Sequence, residues 1–198
     1  MKKRNLKLSG TDPFRNPKDI VYTPAWLAYQ ILEMFPLEGK ILEPCIGDGA
    51  FLQFIPSPYE WCEITLGKNF YSYTEKVDWI VTNPPFSDFE RFLAHSLEVA
   101  DNIVFLIPIS KLFSNLGRLK TIENYGGIVS IHYLGGSKAN FPSGFPAGIC
   151  YLKKGYDGPT EIKKLPLKEY TLPLQLWAPL GNYSFTYYNA PIDDKFYV

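Results

Sequence analysis

Four consecutive residues, Asn83-Pro84-Pro85-Phe86, carry the most specific chemistry in this chain. Two prolines in a row fix the backbone and remove two N–H donors, which leaves the carbonyls of the stretch free to accept from another group. The Asn83 side-chain oxygen and the Pro84 carbonyl can then both accept from one amino group. An aryl amine is a poor nucleophile because its lone pair is delocalised into the ring. Two acceptors set out of the ring plane draw that nitrogen toward tetrahedral geometry and aim its lone pair at an incoming methyl. Positioning and electrostatics supply the catalysis, and no strong base is required. Phe86 adds a flat face on which a base can stack.

Two acidic residues belong to the same picture. The run Glu43-Pro44-Cys45-Ile46-Gly47-Asp48-Gly49-Ala50-Phe51 reads as a loop that leaves a strand and enters a helix. Gly47 and Gly49 let the backbone pass close to a ligand with no Cβ in the way, although the same pattern also serves as a plain tight turn. Glu43, at the strand end, can face a cationic or amine-bearing ligand. Glu63 closes the next strand, where it can accept from both hydroxyls of a ribose or sit as a solvated carboxylate. Cys45, Cys62 and Cys150 show no paired metal spacing, and His95 and His132 are the only histidines. No metal centre is expected, and the thiols read as buried groups in a reducing compartment.

The elements that must position these residues follow from periodicity and breakers. Thr23-Pro24 opens a helix, with threonine at the cap and proline at the first helical position. Leu27, Ile31, Leu32 and Phe35 give that helix one buried face. Short strands are expected at Ile41-Leu42, from Tyr59 to Ile64 and from Val77 to Thr82. Ser87 through Glu90 fits a capping box, followed by Phe89, Phe92, Leu93 and Leu97 on one helical face. Residues 102 to 109 form a nearly continuous apolar strand, the pattern of burial on both sides. A polar helix near 114–124 and strands at 128–134 and 147–153 complete the series.

Alternating helices and apolar strands predict an α/β fold with a mostly parallel sheet and helices on both faces. Ligands in such sheets bind at the carboxyl ends of the strands, where Glu43, Glu63 and Asn83 converge. Between Glu63 and Asn83 there is room for one meagre connection, so the sheet should be trimmed by one edge strand. Residues 1–20 read as a polar arm, residues 21–155 as the catalytic domain, and residues 156–198 as a strand-and-loop tail packed on it.

The order of these motifs resembles the amino-methyltransferases, especially N6-adenine DNA methyltransferases of the gamma arrangement. The resemblance covers roughly residues 20 to 153. It implies a Rossmann-like class I methyltransferase fold, S-adenosylmethionine as cofactor, and methyl transfer to the exocyclic amine of adenine in DNA. Carried over residue by residue, it assigns Tyr22, Thr23 and Pro24 to the methionine moiety of the cofactor. Glu43, Pro44, Cys45, Gly47 and Gly49 would line the amino-acid portion, and Glu63 would bind the ribose. Asn69 and Phe70 fall where the family has an aspartate and an aromatic that contact the cofactor's adenine. Asn83 and Pro84, with Pro85, would hold the target amine, while Phe86 and either Phe141 or Phe145 would stack on the base. A base in duplex DNA must be flipped to reach such a pocket.

Composition qualifies the substrate. At 198 residues the chain suits one domain and carries no full target-recognition domain. Its net charge is zero, with 20 basic and 20 acidic residues, where an autonomous nucleic-acid binder usually shows a basic excess. Lys2, Lys3, Arg4 and Lys7 with the pairs Lys153-Lys154 and Lys163-Lys164 are the candidate phosphate contacts. The alternatives are therefore weakly specific DNA modification, a protein partner that supplies target recognition, an RNA or protein-glutamine substrate, or an inactive subunit that keeps the fold for binding. No apolar stretch is long enough to span a bilayer and the start lacks an apolar signal core, so a soluble, cytoplasmic protein without a membrane partner is expected.

Overall fold

In the computed structural model, which describes residues 21–134 and 146–165, the apolar runs pair into one seven-stranded sheet. The elements in chain order are α1 (Ala25–Leu32), β1 (Ile41–Glu43), β2 (Tyr59–Trp61), β3 (Val77–Thr82), α2 (Phe89–Val99), β4 (Ala100–Pro108), α3 (Leu116–Tyr125), β5 (Gly126–Tyr133), β6 (Ala147–Lys154) and β7 (Glu161–Lys164). The strand order is β2-β1-β3-β4-β6-β5-β7. Six strands run one way, and only β6 opposes its neighbours β4 and β5. The carboxyl ends of six strands therefore share one edge.

The central strand β4 shows how the sheet holds two cores. Val104 and Leu106 face a cluster that includes Leu27, Ala28 and Ile31 of α1. Ile103, Phe105 and Ile107 face the opposite cluster, with Phe89, Phe92 and Leu93 of α2 and Ile122 of α3. The period of two along a strand sends alternate side chains to opposite faces, so both faces of β4 are buried and helices cover both. Each such side chain contributes roughly 1.5–3 kcal/mol on burial.

The structure departs from the sequence expectations at several joints. Residues 44–58 form turns, and no helix follows the glycine loop, because Gly47 and Gly49 adopt φ of +54° and +82° and the prolines at 56 and 58 interrupt the rest. β2 ends at Trp61, and Glu63 instead caps the first of two single-turn 3₁₀ helices, Ile64–Leu66 and Phe70–Ser72. Those two turns are the whole connection to β3, and among the described residues no strand lies outside β2. The opposite edge gains β7, which pairs in parallel with β5, so the sheet still counts seven strands. Pro24 rather than Thr23 occupies the cap position of α1. Asp88 stands at the cap position of α2 without a side-chain capping hydrogen bond, and Glu90 is drawn to Arg118. Among the described residues, no helix is long and apolar enough to cross a membrane. The expected arm, most of the expected tail, and Phe141 and Phe145 lie outside the described residues.

Candidate active site

A cleft of about 230 Å³ lies where β1, β2 and β3 hand over to their loops. Its wall brings together Tyr22, Thr23, Pro44, Cys45, Gly47, Glu63, Asn69, Phe70, Asn83 and Pro85, all expected from the sequence. Pro24, Glu43, Gly49, Pro84 and Phe86 do not line it.

Asn83 follows β3 directly, and its amide is fully constrained on the donor side. Nδ2 donates to the Val21 carbonyl at 2.9 Å and to Thr23 Oγ1 at 3.2 Å. With both hydrogens committed, the orientation of the amide is set by its partners. The remaining atom, Oδ1, is buried and accepts from nothing. A buried polar oxygen without a partner carries a desolvation cost of about 1–3 kcal/mol, which a donor entering the cleft would relieve. Thr23, expected to cap α1, is spent on this duty instead.

Phe86 does not line this cleft. It is half-buried and packs against both core clusters. Its carbonyl accepts from Lys111 Nζ at 2.8 Å. The Lys111 carbonyl in turn accepts from the buried Arg118 guanidinium, which also pairs with Glu90 of α2. The stretch after the prolines is thereby tied, through the turn that follows β4, to α2 and α3.

Glu43 is fully buried and acts on the loop rather than on the cleft. Its Oε1 accepts from the Cys45 amide at 3.1 Å. Burial raises its carboxyl pKa well above the ordinary value; the Thr82 hydroxyl and the Cys45 amide oppose the shift. The Thr82 hydroxyl stands beside the carboxyl without a hydrogen bond of normal geometry. The Cys45 thiol is pushed up chiefly by burial and then by the neighbouring Glu43 and Glu63, which leaves it a poor nucleophile.

Glu63 lines the cleft with its carboxylate largely engaged. Oε1 accepts from the Thr65 amide at 3.0 Å and the Thr65 hydroxyl at 2.7 Å, and Oε2 accepts from the Gly47 amide at 3.2 Å. A carboxylate offers roughly four acceptor positions, so one remains, on Oε2. Asn69 is also committed: its Oδ1 accepts from the Tyr71 amide at 3.0 Å and caps the second 3₁₀ turn. The sequence reading missed Tyr71, Asp88 and Phe92, which line the same cleft. The Tyr71 hydroxyl donates to Asp88 Oδ2 at 2.5 Å, a pairing of residues 17 positions apart that no local motif announces. Among the described residues no group of His, Cys, Asp and Glu could hold a metal ion.

Sheet order, strand directions and the site at the carboxyl edge define the Rossmann-like class I methyltransferase fold, and comparison with solved structures agrees. A protein from Listeria monocytogenes assigned to the class I S-adenosylmethionine-dependent methyltransferases shares the fold at a TM-score of 0.58 and 14% identity, over 76% of this chain and 67% of that one. A modification subunit assigned to a type I restriction enzyme of Vibrio vulnificus YJ016 matches at 0.50 and 16% identity, over 75% of this chain and 48% of that one. The M protein of the type I restriction enzyme EcoKI matches at 0.52 and 13% identity, over 67% and 44%. The chain thus spans about two thirds of the Listeria protein and less than half of each restriction-enzyme subunit. No family model matches the sequence, and neither does any curated protein.

Proposed function

We propose that this chain is an S-adenosylmethionine-dependent methyltransferase that modifies an exocyclic amino group, with adenine in DNA as the substrate. The observation that carries the reading is Asn83 Oδ1, buried, held in orientation through Nδ2, and without a donor. It is an acceptor prepared for an amine that arrives with the substrate.

The donor set of the cleft fits the cofactor. Tyr22 and Thr23 stand beside the glycine loop, Glu63 keeps one acceptor position for a ribose hydroxyl, and Phe70 and Phe92 offer apolar faces for a purine. Bound there, S-adenosylmethionine supplies an electrophilic methyl group. Asn83 Oδ1 accepts one N–H of the target amine, and the Pro84 carbonyl is the natural second acceptor. Together they turn the nitrogen lone pair away from the ring system, which is the positioning that such a weak nucleophile needs.

The likeness to modification subunits of type I restriction enzymes supports DNA as the substrate and a protein partner that supplies target recognition. The neutral charge of the chain agrees with borrowed rather than autonomous DNA binding. Transfer of a labelled methyl group to DNA, RNA and protein offered in parallel tests the substrate. Label in DNA is expected, whereas label in RNA or in protein glutamine alone would reassign it. Asn83→Ala should abolish transfer with S-adenosylmethionine binding retained in calorimetry; full activity in that variant would refute the assigned amine site.

A further inference from the structure

The cleft contains a subsite built from Phe70, Tyr71, Asp88 and Phe92, with Asn69 beside it. The Phe70 and Phe92 ring centroids are 4.7 Å apart, and Tyr71 packs on both rings. Both phenylalanine rings are buried, and the parts of them that line the cleft give it an apolar wall suited to a flat heterocycle. A purine that carries an exocyclic amine also brings a donor, which needs an acceptor at the rim of those rings.

Besides the Tyr71 hydroxyl, which donates to Asp88, two side chains at the subsite carry acceptor oxygens, Asn69 and Asp88. Asn69 Oδ1 already accepts from the Tyr71 amide, which turns it toward the backbone of the 3₁₀ turn with one lone pair left, and its nitrogen is a donor, the wrong partner for an amine. Asp88 is different. One oxygen, Oδ2, takes the Tyr71 hydroxyl, and Asp88 caps nothing at the start of α2. Tyr71 is itself held by the Arg91 guanidinium, 3.8 Å from its ring centroid. The carboxylate is thus fixed in direction with acceptor capacity to spare.

We infer that Asp88 is the residue that accepts from the exocyclic amine of the cofactor's adenine, with Tyr71 as the positioning residue that orients its carboxylate. This rests on the reading of the cleft as the S-adenosylmethionine site and adds a specificity determinant to it. Asp88 directly follows Asn83-Pro84-Pro85-Phe86-Ser87, so one short segment would hold the target amine at one end and the cofactor's base at the other.

Paired calorimetric titrations test the assignment without turnover. The ligands are S-adenosylhomocysteine and S-inosylhomocysteine, which differ in carrying a 6-amino or a 6-oxo group. The wild-type chain should bind the adenine form at least about tenfold more tightly, as befits a hydrogen bond to a charged acceptor. Asp88→Ala should bring the ratio close to one, and Asp88→Asn, whose amide can donate to an oxo group, should favour the inosine form. The near-isosteric Asn variant, checked by circular dichroism, guards against a folding defect in the Ala variant. A wild-type ratio near one, or an unchanged ratio in either Asp88 variant, overturns the inference while the cofactor site stands. Failure of the wild-type chain to bind either ligand overturns the cofactor site and this inference together.

Discussion

Asn83 depends on a residue 60 positions away. The Thr23 hydroxyl and the Val21 carbonyl hold both amide hydrogens, so the acceptor oxygen owes its direction to the segment before α1. Thr23→Val removes one of the two holds. Turnover should fall roughly tenfold, a loss equivalent to about 1.4 kcal/mol of transition-state stabilisation, and Thr23→Ser should restore it. Single-turnover kinetics checks the pair of variants. Glu43 allows a second test, in stability. Its folded-state pKa is raised, so the folded protein holds a proton that the unfolded chain releases once pH passes the ordinary carboxylate range. Stability from this group is therefore lost as pH rises from there toward the folded value, at no more than about 1.4 kcal/mol per pH unit. Glu43→Gln keeps an acceptor for the Cys45 amide and does not ionise. Thermal melts across that window should show the variant gaining on the wild type as pH rises. The types of Asn83, Glu63 and the glycines were legible in the sequence because each carries its chemistry in its own side chain or backbone freedom. The links Asn83–Thr23 and Tyr71–Asp88 were not, because they join residues that only the tertiary fold brings together.

At the scale of elements, β3, α2 and β4 were legible almost to their ends because burial dictates their composition. Phe105, fully buried on β4, packs at 5.7 Å from Phe89 and 6.2 Å from Phe92, between ring centroids. Phe105→Ala should cost about 3–5 kcal/mol in urea unfolding, since that packed cluster cannot collapse freely around the void. The element ends were misread where a side chain had a better offer than the local motif. Threonine at position 23 and acid at positions 88 and 90 are good capping residues by type. Each is instead taken by a partner: Asn83, Tyr71 and Arg118 respectively. The turns after β1 were misread for another reason. A glycine-rich loop is compatible with a following helix, and only the positive φ of Gly47 and Gly49 with the later prolines rules one out.

For the molecule as a whole, the economy of the sheet is its main feature. Two 3₁₀ turns replace a full crossover on one side, yet both faces of the central strands remain covered. The candidate phosphate contacts are correspondingly few. Lys154 pairs with Asp101 and Lys163 with Glu161, so one lysine of each adjacent pair is already engaged.

The strand β7 lies outermost beside β5, and all four of its side chains are exposed. It buries no side chain of its own, but it occupies the backbone groups of Ser130 through Tyr133 and turns a charged strand, Glu161-Ile162-Lys163-Lys164, to the solvent. Edge strands that lack such protection recruit strands from other molecules, and charged residues are a common defence. β7 is then a guard against self-association more than a source of stability. Lys163→Pro, at a position whose N–H shares the side of the Leu165 amide that donates to the Tyr133 carbonyl, removes a ladder donor and should leave the melting temperature nearly unchanged. Light scattering at high protein concentration should nevertheless show the variant associating more than the parent chain.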